Sequence, residues 1–579
     1  MNYRKVLALF LTMGMVSASL TGCGEKNNTA GNTDIAAETS EQSGTKTSEQ
    51  SSADNSGESS ESSAKLDTTD LFSDRDLDGS YDAENAIAIS LQGSSASCDS
   101  NLVKIEGSTI TINSEGVYIL KGTLENGQII VDADQSKVQL VLSGAAVNCP
   151  NSAAVYVKQA DKVFLTLDEN TENTLTTSGE FVQTDDNTVD GVVFSKDDIT
   201  VNGKGKLTVT TGNGHGIVSK DELTMTGGEV TIQTSGHALS GKDSVCIADG
   251  NYLLTAGTDG IHSDNEEDAA KGFIYIGGGT FQITSASDGL DASGRIRIDH
   301  GTLTLNCDDD GIHADTALYI ADGTIDVQKS NEGLESAMIL IDGGTIHVVS
   351  GDDGLNASGG DGFRTDTGIS LVINGGNLTV EAEGDGLDSN GSFSMTGGNV
   401  YVYGTQNGGN GALDLDREGV ISGGYLAAVS CSTMESSFGD SSSQGSIATA
   451  LSGTVTGELS LKDQDGNVLI SCSPNKPYST VQISCPELAA GKTYTLTAGS
   501  QTVEIVMDGL HYGAFSNGGG GGRNKGGMGG TMPERGSKGD RKPGMPGEKN
   551  PADGNSGSEN GEQIPEPGLE TAGNEVGEL

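Results

Sequence analysis

The chain has no tryptophan, and aromatic residues make up only 4% of its 579 positions. It is therefore badly equipped with the flat platforms that surface binding to cellulose normally uses. Cations are scarce too: 32 Lys and Arg stand against 82 Asp and Glu, a formal charge of 32 − 82 = −50. A field of that sign excludes nucleic acid as a partner and argues against anionic membrane patches. The apolar fraction of 34% falls below the roughly 45–50% usual for globular domains. That shortfall is uneven, because both ends are low in complexity while the middle is dense in Val, Ile and Leu. Cysteine is sparse: after Cys23 seven remain, enough for at most three disulfides with one thiol over. Cys472 and Cys485 flank an expected hairpin and are the best pair.

The opening "MNYRKVLALFLTMGMVSASLTGC" puts Arg4 and Lys5 before a short apolar run. The run is too short for a membrane span and reads as a secretory signal. Its Leu20-Thr21-Gly22-Cys23 ending resembles the bacterial lipobox, which would lipidate Cys23. The expectation is an extracytoplasmic protein at the cell surface, lipid-anchored to the cell membrane, a compartment that permits disulfides. Five segments follow from composition: the signal at 1–23, a Ser/Glu/Thr-rich tether at 24–66, a strand-rich domain at 67–429, a small all-β capping module at 430–515, and a Gly-rich tail at 516–579. The tether and tail cannot bury enough apolar surface to fold.

The middle of the chain repeats. Turn glycines stand at Gly216, Gly260, Gly289, Gly311, Gly333, Gly354 and Gly386, with Ala238 in the same slot. Successive steps are 22, 22, 29, 22, 22, 21 and 32 residues. About twelve residues further on lies a second series, Gly228, Gly250, Gly279, Gly301, Gly323, Gly344, Gly376 and Gly398. Between the two series run short alternating stretches such as "RIRID" and "TLTLNC". A constant period with two glycine corners predicts an all-β parallel solenoid of about 22 residues per coil. Right-handed coiling is the default for parallel crossovers, so a right-handed parallel β-helix is expected.

Acids sit at the turns: "GTDGIHSDN", "ASDGLDASG", "CDDDGIHADT", "SNEGLESAM", "GDDGLNASG" and "EGDGLDSNG". Stacking would pile Asp259, Asp288, Asp310, Glu332, Asp353 and Asp385 into one column, with Asp309 and Asp352 beside it. A second column would hold His262, Asp291, His313, Glu335, Asn356 and Asp388. Two carboxylates at the strand spacing repel by roughly 1 kcal/mol in water and several-fold more near a protein surface. That cost points to a cation between rungs, and all-oxygen ligands at irregular spacing suit Ca²⁺. The candidate metal ligands are thus Asp259, Asp288, Asp291, Asp309, Asp310, Glu332, Glu335, Asp352, Asp353, Asp385 and Asp388. The alternative is a plain acidic edge that discourages association. A separate D-x-D-x-D-G run, Asp74, Asp76, Asp78 and Gly79, has Asn85 where an EF-hand needs Glu, so it reads better as a turn.

The long steps come from "NEEDAAK" (265–271) and the stretch around "GGDGFRTDTG" (359–368). Both are expected on the acidic edge, as walls of one groove.

The lipobox, the "LFSDRDLDGSYD" opening, the repeated "DDG[IL]" turns, the "SCPELAAGKTYTL" ending and the Gly-rich tail together resemble the carbohydrate-binding lipoproteins of clostridia and relatives. The resemblance covers residues 68–512. It implies a pectate-lyase-like β-helix that binds Ca²⁺ and plant-type polysaccharide. Calcium bridging of protein and uronate carboxylates would let an acidic chain hold an acidic polymer such as polygalacturonate, with cellulose a lesser option. A second function is a calcium-dependent pectate-type lyase, which needs a cationic base near the ladder; Arg364 and Lys271 are the candidates. A third is an adhesive surface protein without a sugar ligand.

Overall fold

The computed structural model describes residues 65–265, 267–359, 368–432 and 434–515. Cys23 and Arg364 lie outside them, as do most of 359–368 and Glu266. The described residues are almost all strand and turn, with one helical turn at Asp74–Leu77.

Each repeat supplies three short strands, and each strand pairs in parallel with its equivalent one repeat later. In the first ladder Ile217 pairs with Leu239, and the file continues through Ile261, Leu290, Ile312, Leu334, Leu355, Leu387 and Leu413. The second ladder files Ile247, Ile276, Ile298, Ile320, Ile341, Ile373, Met395 and Ile421. The third files Tyr252, Phe281, Leu303, Ile325, Ile346, Leu378, Val400 and Leu426. These files are almost wholly buried and form one continuous core. Burying each aliphatic side chain contributes about 1.5–3 kcal/mol. The architecture is solenoid-like: side chains stack on their own kind because parallel registry leaves no other arrangement.

The two glycine series have different causes. Members of the second series adopt positive φ, from 86° at Gly376 to 134° at Gly250, a conformation that L side chains resist. The first series is not in that region; it lacks room. A Cβ on Gly333 would meet Val348 Cγ1 at 2.2 Å and the Gly354 carbonyl at 2.3 Å. The same third-ladder file explains the exceptions. It runs Ile232, Leu254, Ile283, Leu305, Val327, Val348, Val380, Val402, Ala428. The turn slot is Gly at every β-branched rung; where the rung is not β-branched it is Ala at position 238 beside Leu254 and at position 412 beside Ala428, but Gly at position 289 beside Leu305, where a Cβ would meet the Gly311 carbonyl at 2.5 Å and Cys307 Sγ at 3.0 Å. A γ-methyl takes the space a turn Cβ needs.

The N-terminal acidic run is not a metal loop. Ser73 caps the helical turn, and buried Asp76 bonds back to Ser73, to Thr200 Oγ1 at 2.5 Å and to Lys162 Nζ at 2.9 Å. It fastens the segment to the second-ladder strands Lys162–Leu167 and Asp198–Gly203.

At the other end, Tyr425–Ser430 is covered by Tyr478–Ser484 in antiparallel pairing. Buried Glu435 accepts from the N–H groups of Ala412 at 3.0 Å and Leu413 at 3.3 Å. It takes the place of the carbonyls that a further rung would offer. A four-stranded antiparallel sheet follows, built from Leu459–Lys462, Val468–Cys472, Thr493–Ala498 and Gln501–Val506. The expected Cys472–Cys485 bridge does not form, and all seven described cysteines are free thiols. Its premise was a hairpin, but Val468–Cys472 pairs with Leu459–Lys462 while Tyr478–Ser484 joins the solenoid strands.

Gly333→Ala should lower stability by about 1–3 kcal/mol through overpacking. Gly351→Ala, whose Cβ meets nothing closer than Ser330 O at 3.5 Å, should stay within roughly 0.5 kcal/mol of wild type. In a Val348→Ala background the cost of the Gly333 change should shrink. Urea midpoints of wild type, the Gly333 and Val348 single variants and their double variant measure the coupling. An unchanged cost in the Val348→Ala background would refute the γ-methyl account.

Candidate functional site

The acidic turns lie between the third and first ladders, and registry makes them a column. The slot before each turn glycine holds His215, His237, Asp259, Asp288, Asp310, Glu332, Asp353 and Asp385. Each carboxylate also binds the next rung. Asp259 Oδ1 accepts from Asp288 N–H at 3.1 Å, Asp288 Oδ1 from Asp310 N–H at 2.7 Å, and Asp310 Oδ1 from Glu332 N–H at 3.1 Å. Asp353 Oδ1 accepts from Asp385 N–H at 2.6 Å, and Asp385 accepts from Gly411 N–H. Glu332, longer by a methylene, instead accepts from Asn356 Nδ2 at 2.8 Å.

The second column occupies the middle of the three-residue first-ladder strands. Ser240, His262, Asp291, His313, Glu335, Asn356, Asp388 and Asp414 pair in that order. Their neighbours in each strand point inward, which leaves the middle side chain facing out beside the first column. Ligand atoms therefore gather in groups: Asp288 with Asp309 and Asp310; Asp310 with Glu332 and Glu335; Asp288 with Asp291 and His313; and Asp259 with His237 and His262, all within 4.8 Å of one another in each group. Asp352 is exposed and belongs to none of these groups, nor do Asp353, Asp385 and Asp388.

The electrostatics divide the columns. Burial, then the charges of Asp288 and Glu332, push Asp310 up to about 8. Burial, with Asp291 and Asp259 nearby, lifts Asp288 to about 7. Burial and the charges of Glu335 and Asp353 lift Glu332 to about 7, against the hydrogen bond from Asn356. Asp388 reaches about 8, through burial and the charges of Asp353 and Asp385. Where histidines intervene the direction reverses. Burial opposes it, but hydrogen bonds from His237 and His262 hold Asp259 well below the usual carboxylate range. His262, despite its burial, is pushed up to about 9 by Asp259 and Asp291. The hydrogen bond to Asp291 likewise raises His313 to about 9, against burial. Among the described residues three buried polar atoms on these first-ladder strands lack a partner: Ser263 Oγ, Ser336 Oγ and Asn356 Oδ1, the last on a residue 8% exposed and beside the second column.

The two insertions leave the register one short strand later than expected. "NEEDAAK" lies between Ile261–Ser263 and Phe273–Ile276, and 359–368 between Leu355–Ala357 and Ser370–Ile373. They share a corner, but it is the far end of the strand that carries the second column. Lys271, the other candidate base, is paired with Asp243. A cavity of about 710 Å³ lies elsewhere, at the corner of Gly203, Gly228 and Gly250 under Leu77–Tyr81. It collects none of the ligand groups described above, so the columns remain the better candidate.

Residues 106–354 match the family model for carbohydrate-binding domain-containing proteins. A carbohydrate-binding domain-containing protein of Acetivibrio thermocellus is 36% identical over 127 residues, 21% of this chain. That stretch is 44% of the relative, so the chain spans less than half of its length. Among solved structures, a polysaccharide lyase-like protein from C. thermocellum, described as a gadolinium derivative, is 32% identical. The match covers 41% of this chain and 97% of that one, with a TM-score of 0.40. The similarity is to proteins with carbohydrate-binding domains and a polysaccharide lyase-like neighbour, and the matched residues include the columns as far as Asp353.

The shifts fix a pH dependence. Carboxyls whose folded pKa is raised favour the folded state while protonated, so their contribution falls as pH climbs from about 4 toward 8. His262 and His313, raised to about 9, contribute stability that is full below about 6.5 and lost as pH rises through about 9. Both act in one direction; His215, which burial and the charge of His237 lower to about 4, opposes them only below about pH 6.5. In chelator the melting temperature should fall steadily between pH 6.5 and 9. Asp310→Asn keeps the oxygen that accepts from Glu332 N–H and removes the charge; at pH 8 it should melt a few °C higher than wild type. A flat profile, or a destabilised Asp310→Asn at pH 8, contradicts the assignment.

Proposed function

We propose that the protein is a polysaccharide-binding module that holds acidic, uronate-containing glycan along the two columns, with Ca²⁺ between the carboxylates. The observation that carries the reading is the run Asp288, Asp310 and Glu332, each in register with the next and each flanked by a further acid, Asp309 or Glu335. Such a stack is costly when ionised and unbridged. The donors are all oxygen in the two groups around Asp310, which fits a hard cation with flexible coordination. The partnerless Asn356 Oδ1 adds a neutral oxygen of the kind calcium accepts. Asp288, Asp309, Asp310, Glu332 and Glu335 would hold the ion, with Asn356 as a further donor. When bound, calcium would offset the column's repulsion and present positive charge to a uronate carboxylate. The protein's own part is to fix the carboxylates through the hydrogen bonds from successive rungs, so that little ordering is needed on binding.

The right-handed coil, the lipid anchor at Cys23 and the resulting cell-surface location belong to the same reading. They are consistent with a module that displays its columns to polymer outside the cytoplasmic membrane.

Calcium should raise the melting temperature at pH 8, because an ion bound by the native state alone stabilises by mass action. The gain should be smaller in Asp310→Asn. In affinity electrophoresis through polygalacturonate, Asp310→Ala and Glu332→Ala should each weaken retardation about tenfold or more, corresponding to roughly 1.4 kcal/mol, with the circular dichroism of wild type. Two folded variants that migrate as wild type, or a melting temperature indifferent to millimolar calcium, would count decisively against the proposal.

A further inference from the structure

The acidic column does not begin with an acid. Its first two members are His215 and His237, and His262 of the second column lies against them. The three rings form a stack, with centroids 4.7 Å apart at 5° for the first pair and 4.1 Å apart at 4° for the second. His237 and His262 both direct Nδ1 at Asp259 Oδ2, at 2.8 and 3.3 Å. This group resembles a transition-metal site by composition, but its geometry argues otherwise. Imidazole ligands hold zinc with an in-plane lone pair at about 2.0–2.1 Å. Two parallel rings 4.1 Å apart cannot both aim such a lone pair at one ion. Hydrogen bonds from Nδ1–H to the carboxylate do fit.

The tautomers follow. His215 Nδ1 accepts from His237 N–H at 2.9 Å, so its neutral ring carries the proton on Nε2. His237 turns Nδ1 to Asp259, with Thr258 Oγ1 also at 2.9 Å, and His262 shares Nδ1 between Asp291 at 2.9 Å and Asp259 at 3.3 Å. None of the three Nε2 atoms has a partner among the described residues. All three rings line one cavity of about 230 Å³, together with Lys220, Lys242 and Asp264. Registry explains the lysines, which stand two residues after the paired positions Val218 and Ser240. Their ion pairs are weak surface pairs: Lys220 with Asp190 at 3.0 Å, where its ammonium also lies 5.5 Å from the Phe194 ring centroid, and Lys242 with Glu267 at 3.3 Å, the latter's side chain 83% exposed. Such pairs contribute about 0–1 kcal/mol and yield to a competing carboxylate. In a chain of charge −50, this cavity gathers two ammoniums and three imidazoles against one carboxylate.

We propose that this cavity is a metal-independent subsite for one uronate residue of the glycan. The two ammoniums take the carboxylate, and the Nε2 edges exchange hydrogen bonds with ring hydroxyls, which both donate and accept. The inference rests on the acidic-glycan reading above and adds that the His215 end holds sugar directly, whereas the Asp310 end holds it through calcium. A polymer along the column therefore meets two chemically different ends about 20 Å apart, four rungs at the strand spacing.

The test uses the full chain and two probes, trigalacturonate and its methyl ester, in calcium and in EDTA, read by isothermal titration. In EDTA, wild type should bind the free acid weakly, and Lys220→Gln/Lys242→Gln should bind it about tenfold more weakly still. Both proteins should bind the ester equally. Without any substitution, the His215 and His237 Nε2 resonances of wild type should shift when the free trimer is added in EDTA. Equal affinity of wild type and the double variant for the free acid, equal losses for acid and ester, or unmoved Nε2 signals would each overturn the subsite while leaving the calcium columns standing. Absence of uronate binding by wild type in calcium and EDTA alike would defeat the parent reading and this one together.

Discussion

Parallel in-register stacking is the constraint on which everything else here depends. Once each strand pairs with its equivalent one repeat later, every residue rests on the residue of the same slot. For Leu, Ile and Val that stacking is favourable and forms the core. For Asp and Glu it is costly, because registry sets like charges at the strand spacing with no freedom to alternate. The fold relieves part of this cost locally. Carboxylates of the first column accept backbone N–H groups from the next rung, and histidines neutralise Asp259 and Asp291. Between Asp288 and Glu332 the one histidine close by, His313, bonds to Asp291 rather than to the first column, and there burial and repulsion drive the carboxyl pKa values up. A column held in that condition is, in the reading proposed here, preorganised for a cation.

The proposed function follows from the same registry. A polymer with a regular charge repeat is best met by a surface with a regular charge repeat, and a solenoid builds one by repeating a turn. The two columns run side by side over several rungs, so the surface is long and narrow. Its chemistry changes along its length, from imidazole and ammonium at His215 and Lys220 to carboxylate at Asp310. The similarity to carbohydrate-binding domain proteins spans this region, and neither end of the surface depends on the aromatic platforms that the chain lacks.

Much of this was legible in the sequence because the period was legible. The turn glycines, the alternating apolar residues and the acids all recur in step, and aligning them places Asp288, Asp310 and Glu332 in one file before any coordinates are seen. What was missed was missed for identifiable reasons. His215 and His237 occupy the acidic slot but are not acids, so charge does not mark them; the register that admits Ala238 to the turn slot does. The Cys472–Cys485 bridge does not form because strands adjacent in sequence need not be a hairpin, and Tyr478–Ser484 has a longer-range partner in Tyr425–Ser430. Asp76 was read as one of a local run, and its partners Lys162 and Thr200 lie far along the chain. The role of Glu435 depends on where the ladder ends, which a repeat pattern does not mark. The insertions were placed one strand too early because a three-residue strand is too short to show as alternation.

The central claim is that the registered carboxylates around Asp310 exist to hold calcium. A crystal grown with calcium, and a second with a lanthanide in its place, would locate the ions directly by anomalous scattering. The account predicts ordered peaks shared among Asp288, Asp309 and Asp310 and among Asp310, Glu332 and Glu335, removed by chelator and absent from Asp310→Asn. Ordered ions elsewhere on the molecule, with those two groups empty and their carboxylates bonded to one another through shared protons, would contradict it.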